Sequence, residues 1–214
     1  MTFWTEMLSR ETPITWLFTG DSVTAGVRHL HGHRDYTQLF AERIRWELRR
    51  DRDVIVNTAV GGSTIDDVAG DLEHRVLRFR PDVVVVGVGF NDTRNEAAGV
   101  EPFRARYQEV VDRCGEPVFV AQTPNGSMPT ASAHVLPHLP AYTTVIREIA
   151  AERGLTLVDH AAVWREAAER GIMEAWISQG CHPNLYGHRA MAHTLLRSLD
   201  LFADDSVVCR LAVP

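Results

Sequence analysis

The sequence predicts an α/β fold, a flavodoxin-like three-layer α/β/α sandwich built on a five-stranded parallel sheet. Strand and helix patterns alternate from Thr15 onward, which is typical of βαβ units and of a parallel sheet. The stretch 82–89 contains a continuous run of valines, which indicates a central strand buried on both faces. The 214 residues suffice for one such domain but not comfortably for two. We therefore expect a single domain over residues 1–214, with an N-terminal extension at 1–13 and a C-terminal tail at 200–214.

Short apolar runs predict the strands of this sheet. The first run is rich in β-branched and aromatic residues, and Pro13 and Gly20 bound it. The predicted strands are 15–19, 54–59, 82–89, 117–121 and 155–158. We find no internal repeat or linker between them, which favours one continuous sheet.

Amphipathic patterns predict the helices between these strands. Asp35 and Gln38 indicate a capping box before a helix at 36–49, and Ser63 is a predicted cap for the next helix. Further helices are expected from Pro102 to Gly115, over 141–153 and over 185–199, with a long loop at 122–140. The chain beyond the last strand is expected to be helical apart from the segment around His182.

Charge and hydropathy exclude several classes of protein. The formal net charge of −6 argues against nucleic acid as a partner, and no basic stripe is present. The apolar stretch Val83–Val86 is too short to span a bilayer, and the N-terminal residues lack a secretory pattern. The 3 cysteines have unrelated spacings, which is typical of reduced thiols. We expect a cytoplasmic protein that binds neither nucleic acid nor membranes.

Ser22 follows the first strand at a point where a ligand can reach it. Gly20 permits a sharp turn at the carboxyl end of the strand, and this end is where open α/β sheets bind ligands. A serine in this place can be a nucleophile, a helix cap or a turn residue. The motif Gly20-Asp21-Ser22 alone leaves all three interpretations open.

Three further segments carry a family resemblance when they are read together with this motif. They are Asn57-Thr58-Ala59-Val60-Gly61-Gly62-Ser63-Thr64, Gly89-Phe90-Asn91-Asp92 and Cys181-His182-Pro183-Asn184. In this order they resemble the four blocks of the SGNH hydrolases, also called GDSL-like esterases and lipases, over nearly the whole chain. The family is named for a Ser, Gly, Asn and His, which match Ser22, Gly62, Asn91 and His182. The resemblance also implies the strand order 2-1-3-4-5.

The resemblance implies a catalytic role for each matching residue. Ser22 would be the nucleophile and His182 the general base. The main-chain N–H groups of Ser22 and Gly62 and the side-chain amide of Asn91 would stabilise the oxyanion. Three of these residues follow strands of a parallel sheet, so their side chains are expected to meet at one edge.

Other polar residues are candidates for binding substrate. The chain has 10 histidines, and His188, near the start of the last helix, is expected to be solvated. The histidines at 29, 31 and 33 and those at 134 and 138 are expected to form a polar rim rather than a metal site. The predicted substrate-binding residues are Asp21, Arg28, His31, Asp92 and His134.

Gln179 departs from the family pattern. The family has Asp three residues before its histidine, where it orients and stabilises the imidazole, and this sequence has Gln179. Three explanations remain open. An amide or main-chain carbonyl assists a Ser–His dyad, or a carboxylate such as Glu174 or Asp159 acts in its place, or the enzyme is weakened or repurposed.

The sequence therefore predicts a serine esterase that hydrolyses a small-molecule carboxylic ester without a metal or cofactor. The polar, His- and Arg-rich loop at 28–34 and the lack of a long apolar lid favour a short acyl group, such as acetyl, on a sugar or another polar alcohol. An acyltransferase that uses the same acyl-enzyme is one alternative. A non-catalytic carbohydrate- or acyl-binding protein is another, and the oligomeric state is left open.

Overall fold

A computed structural model describes residues 2–26, 29–128 and 136–214 of the chain. Its main sheet has five parallel strands in the order β2-β1-β3-β4-β5, as predicted. The strands are β1 Thr15–Gly20, β2 Val54–Asn57, β3 Val83–Gly87, β4 Val118–Gln122 and β5 Thr156–Val158. Each lies within about two residues of its predicted position.

The valine strand β3 lies at the centre of the sheet because its side chains are apolar on both faces. Val83–Val86 are fully buried, and burying each such side chain contributes about 1.5–3 kcal/mol. Successive residues of β1 enter opposite cores, since side chains alternate along a strand. Trp16 and Phe18 pack on one side of the sheet, whereas Leu17 packs on the other.

Helices cover both faces and complete the three layers. Helices α3 and α9 pack against the core that contains Trp16 and Phe18, while α4, α6 and α7 pack against the core that contains Leu17. The helices are α1 Phe3–Leu8, α2 Ser22–Ala25, α3 Tyr36–Glu42, α4 Ile65–Gly70, α5 Leu72–Arg75, α6 Val100–Cys114, α7 Leu139–Arg153, α8 His160–Glu169 and α9 Leu185–Ser198. In the described residues, no helix is both long enough and apolar enough to cross a bilayer.

Of the three helix starts for which the sequence indicates a cap or a proline, one is confirmed, and the other two differ from the prediction. Asp35 and Gln38 form the predicted capping box of α3, which continues as a π-helical turn at Arg43–Glu47. The prediction that Ser63 caps α4 is wrong, because Thr64 caps it and Ser63 accepts a hydrogen bond from Arg75 instead. Helix α6 starts two residues before Pro102. Proline is tolerated there because the first helical N–H groups have no partner within the helix.

A small antiparallel hairpin was not predicted from the sequence. It consists of β6, Ile177–Gln179, and β7, His182–Pro183, and it follows a 3₁₀ turn at Met173–Trp176. Strands of two or three residues are too short for alternation to be recognised. The hairpin presents His182 toward the main sheet.

Both terminal segments contribute side chains to the core. Trp4 and Met7 on α1 are buried, and Trp4 stacks on Trp16 with ring centroids 6.0 Å apart. At the other end, Val208 and Cys209 are buried in the same cluster. The extension and the tail are therefore packed parts of the fold.

Candidate active site

Ser22 is held at the carboxyl end of β1 by a turn that only glycine permits. Gly20 has φ +152°, and a Cβ atom there would overlap the carbonyl oxygen of Gly87 on the neighbouring strand. Asp21 then caps α2 by accepting a hydrogen bond from the N–H of Val23 at 2.9 Å. Because Asp21 is the cap, Ser22 is the first residue of the helix and its hydroxyl is available to other groups.

The Ser22 hydroxyl is paired with the imidazole of His182. Ser22 Oγ lies 2.9 Å from His182 Nε2, although 160 positions separate the two residues in the chain. This distance is within the reach of a nucleophile and its general base. The pair joins the end of β1 to β7.

His182 is oriented by a main-chain carbonyl. Its Nδ1 atom lies 3.2 Å from the main-chain oxygen of Gln179, so Nδ1–H donates and Nε2 keeps its lone pair for Ser22. Of the acceptors considered from the sequence, the structure therefore places a main-chain carbonyl next to His182 Nδ1. The exposed side chain of Gln179 takes no part in this bond, so an orienting role for that side chain is not supported.

The two alternative carboxylates are engaged or exposed elsewhere. Asp159 accepts two hydrogen bonds of 2.9 Å from Arg147 and caps α8 through the N–H of Ala162. Glu174 is exposed on the 3₁₀ turn before the hairpin. Within the described part of the chain, the relocated acid proposed from the sequence is not found next to His182.

His29 stacks on the ring of His182. Their ring centroids are 3.8 Å apart and the planes are inclined by 18°. Burial lowers the pKa of His182, the neighbouring His29 lowers it further, and the Gln179 carbonyl opposes the shift. A lowered pKa keeps His182 neutral, which is the state a general base requires.

Asn91 and Gly62 border the space in front of Ser22. The Asn91 side-chain amide donates to the main-chain oxygen of Ser63 at 3.1 Å and lies 3.5 Å from Asp21 Oδ2. This hydrogen bond fixes the amide plane. Gly62 has φ +83°, and open space surrounds the position that a Cβ atom would take. A substrate can therefore approach the main chain at Gly62 closely.

A cavity of about 430 Å³ contains these groups, and its size is typical of a small-ligand site. Five of the predicted site residues line it, namely Asp21, Ser22, Gly62, Asn91 and His182. Six further residues line the cavity. His29 is one of the histidines expected to form a polar rim, and the other five were not predicted as site residues, namely Val23, Gly61, Phe90, Arg94 and Cys181. Their segments were recognisable, but the direction of a loop side chain carries no sequence signal.

Burial strongly raises the pKa of the two acidic residues that are adjacent in sequence to Ser22 and Asn91. Asp21 is buried, and desolvation raises its pKa to about 7. Asp92 is buried as well, and desolvation raises its pKa to about 6. Asp92 accepts hydrogen bonds from the N–H groups of Ile65 and Gly89 and does not line the cavity. It thus supports the loops around the cavity and is not placed for the substrate contact expected from the sequence.

Of the remaining predicted binding residues, the structure describes His31 alone. His31 is exposed, has φ +49° and does not line the cavity. Arg28 and His134 lie outside the described residues. The assignment of His31 came from loop composition, which does not determine where a side chain points.

His188 is buried, and the prediction of a solvated position is wrong. Its Nδ1 atom accepts a hydrogen bond of 3.2 Å from the N–H of Tyr36, and its ring stacks on that of Tyr36. Desolvation lowers the pKa of His188 to about 3. The helix that carries His188 packs on the sheet at this point, so burial outweighs the usual exposure of a first turn.

A buried polar network lies beneath α2. Tyr36 Oη is 3.0 Å from Thr24 Oγ1 and accepts a hydrogen bond of 3.0 Å from Gln122 Nε2. Gln122 Oε1 in turn is 2.9 Å from His160 Nε2, and burial lowers the pKa of His160 to about 3. The network links β4 and α8 to the short helix that carries Ser22.

Arg75 connects two loops of the site by hydrogen bonds, a role that was not predicted from the sequence. Its guanidinium donates to the main-chain oxygen of Gly20 at 2.8 Å and to Ser63 Oγ at 3.1 Å. It therefore joins the turn before Ser22 to the loop that carries Gly62. An arginine on a short helix gives no sequence signal for this long-range contact.

A larger cavity of about 640 Å³ lies beside α8 and α9 and lacks such chemistry. Its serine and histidine are bound to main-chain oxygens, since Ser198 donates to Thr194 at 3.0 Å and His193 lies 3.0 Å from the oxygen of Val208. Over residues 2–26, 29–128 and 136–214, no cluster of three or more His, Cys, Asp or Glu side chains could hold a metal ion. The hydrogen-bonded pair of Ser22 and His182 therefore distinguishes the smaller cavity.

The chain belongs to the GDSL-like lipase/acylhydrolase family, whose profile matches residues 18–190. Its class is therefore that of the carboxylic ester hydrolases. The match includes all four sequence blocks, from Ser22 to His182, and confirms the family resemblance.

Individual relatives are more distant. An acetylxylan esterase of Geobacillus stearothermophilus is 22% identical over 156 residues, which cover 68% of this chain and 71% of that protein. An uncharacterised protein of Mycoplasma pneumoniae is 32% identical over 111 residues, which cover 50% of this chain but 12% of that much longer protein.

The fold is also found in solved structures. An alpha/beta hydrolase from the metagenome of Lake Arreo in Spain superposes with a TM-score of 0.77 at 21% identity, covering 89% of this chain and 97% of that one. At this level of identity the likeness shows the fold alone.

Proposed function

We propose that the protein is a serine esterase in which Ser22 and His182 form a catalytic dyad. The observation that carries the proposal is the 2.9 Å contact between Ser22 Oγ and His182 Nε2 inside a cavity of ligand size. Membership of a lipase/acylhydrolase family supports it.

The proposed reaction proceeds through an acyl-enzyme. His182 Nε2 takes the Ser22 proton as Oγ attacks the ester carbonyl, and the same proton then passes to the departing alcohol. The N–H groups of Ser22 and Gly62 and the amide of Asn91 donate to the oxyanion. A water molecule, deprotonated by His182, then attacks the acyl-enzyme and releases the acid.

The main-chain carbonyl of Gln179 replaces the aspartate of a triad in this proposal. A carbonyl can hold the imidazole tautomer, as the bond of 3.2 Å to Nδ1 indicates, but it carries no full negative charge. The imidazolium that forms during the reaction is therefore stabilised less than in a triad. We infer a dyad that relies on orientation and on the oxyanion donors.

We further propose a short acyl group, such as acetyl, on a sugar or another polar alcohol. The cavity of about 430 Å³ is bordered by polar groups, including those of Asp21, His29 and Arg94. One curated relative is named an acetylxylan esterase, which agrees with this substrate class.

A series of model esters from acetyl to decanoyl tests the proposal, with Ser22→Ala as the matched control. We expect the highest kcat/KM for the shortest acyl groups and a loss of several orders of magnitude in Ser22→Ala. Equal turnover by wild type and Ser22→Ala would contradict the proposal. Tight binding of an acylated sugar without turnover would instead favour a binding protein, and acyl transfer to added alcohols would favour an acyltransferase.

A further inference from the structure

The cavity beside Ser22 contains an arginine that the ester chemistry does not use. Arg94 lies on the 3₁₀ turn Asn91–Asn95, three residues after Asn91, and it lines the cavity together with Ser22 and His182. Its side chain is exposed, and among the described residues it forms no ion pair and no hydrogen bond. Its guanidinium is thus available to a bound molecule.

Little negative charge opposes an anion in this cavity. Among the described residues, the lining contains one carboxyl group, that of Asp21, which is buried and accepts a hydrogen bond from Val23. A main-chain carbonyl occupies the position next to His182 Nδ1 where the aspartate of a triad would place a full negative charge. The absence of that charge lowers the electrostatic penalty for a negatively charged substrate.

The size of the cavity indicates which part of the substrate meets Arg94. An acetyl group would occupy only a small part of the 430 Å³, so most of the space is left to the alcohol. Because Arg94 lines this cavity, we assign it to the part of the wall that the alcohol contacts. A guanidinium binds a carboxylate through two parallel hydrogen bonds, which adds geometric selectivity to the charge.

We infer that the alcohol part of the substrate carries a carboxylate that Arg94 binds, as in an O-acetylated sugar acid. This inference rests on the proposed esterase function and adds the charge of the substrate to it. The chain has a net charge of −6, so long-range attraction does not favour anions and the selectivity depends on the local contact.

A pair of substrates that differ in charge alone tests the inference. One is a methyl glucoside with a single acetyl group, and the other is the methyl glucuronoside acetylated at the same hydroxyl. The quantity measured is the ratio of kcat/KM for the anionic ester to kcat/KM for the neutral ester. The variants are Arg94→Gln, Arg94→Lys and, as a matched control, Arg52→Gln, which removes an exposed arginine before β2 at the opposite edge of the sheet.

We expect the wild-type ratio to exceed one and to fall by about tenfold or more in Arg94→Gln, which corresponds to one charge-assisted hydrogen bond. Arg94→Lys should keep part of the preference, and Arg52→Gln should keep all of it. If both esters are hydrolysed and the ratio is the same in wild type and Arg94→Gln, the role of Arg94 is overturned while the esterase proposal stands. If wild type hydrolyses neither sugar ester nor a simple aryl acetate, the esterase proposal itself fails, and this inference fails with it.

Discussion

His182 is oriented by an atom that every residue type possesses. The acceptor at Nδ1 is the main-chain oxygen of Gln179, while the Gln179 side chain points into solvent. The orientation of His182 in the proposed dyad therefore depends on the path of the β6–β7 hairpin more than on the identity of residue 179.

This geometry predicts that substitutions of Gln179 are nearly silent. Gln179→Ala and Gln179→Asp keep the main-chain carbonyl, so we expect kcat on a model ester to stay within about threefold of wild type, as for other surface substitutions. Ser178→Ala, an exposed neighbour in the same strand, is the control. A tenfold loss in Gln179→Ala alone would show that the side chain orients His182 after all.

A substitution of Asn91 tests the proposed oxyanion site. Removing one donor of this kind lowers kcat by roughly 10²–10³, about 2.7–4 kcal/mol, so Asn91→Ala should lower kcat far more than it raises KM. Because the amide also holds the Ser63 carbonyl at 3.1 Å, melting temperatures should accompany the kinetics. Asn95→Ala, an exposed residue of the same turn, is the control. A change in KM alone would mean that Asn91 binds substrate and transition state equally.

At the scale of the element, the turn from β1 into α2 is the feature on which the site depends. Gly20 has φ +152°, and its neighbours Gly87 O and Thr24 Oγ1 leave no room for a Cβ atom. The polar network beneath α2 and the guanidinium of Arg75 hold the same turn from the other side.

We therefore expect Gly20→Ala to destabilise the fold by about 3 kcal/mol or more, since backbone strain and overpacking add. Urea unfolding measures the effect. The control is Gly70→Ala at the end of α4, where open space surrounds the added methyl group and the helical residue should gain stability. Similar free energies of unfolding for the two variants would show that β1 and β3 can separate at this point.

Most strands and helices could be predicted from the sequence, whereas the contacts within the candidate site could be predicted only in part. The valine run of β3 and the alternation of strands and helices predict the sheet. Three of the four sequence blocks follow the carboxyl ends of strands, and the fourth lies on the β6–β7 hairpin. The stacking of His29 on His182 and the direction of Arg94 were not predicted, and the acceptor at His182 Nδ1 was left open among an amide, a main-chain carbonyl and a relocated carboxylate. Each depends on the path of a loop or on a main-chain atom, neither of which leaves a pattern in the side chains.

At the scale of the whole molecule, buried titratable groups make stability depend on pH. His160 and His188 are neutral in the fold, with pKa values lowered to about 3 by burial. The pKa values of the two buried carboxyls, Asp21 and Asp92, are raised to about 7 and about 6. As the pH falls below 6.5, the ordinary pKa of histidine in the unfolded chain, the two histidines lose their stabilising contribution to the fold. The two carboxyls have the opposite effect: as the pH falls, they make the fold more stable, because they are protonated more readily in the fold than in the unfolded chain.

A single variant separates these opposing contributions. His188→Asn keeps an acceptor near the N–H of Tyr36 but cannot take up a proton, so we expect it to lose less stability than wild type as the pH falls from 7 to 4.5. Below pH 6.5 the difference should approach about 1.4 kcal/mol per pH unit. Melting curves across this range measure it, with the exposed His74→Asn as control. Parallel pH profiles for wild type and His188→Asn would show that His188 takes up its proton equally in the native and unfolded states, which contradicts the lowered pKa.

The central claim is that Ser22, activated by His182, is the nucleophile, and covalent labelling tests it most directly. A fluorophosphonate should add once to the wild-type protein, peptide mapping should place the adduct on Ser22, and His182→Ala should react far more slowly because the base is lost. Labelling of another residue, or equal labelling of Ser22→Ala, would contradict the account.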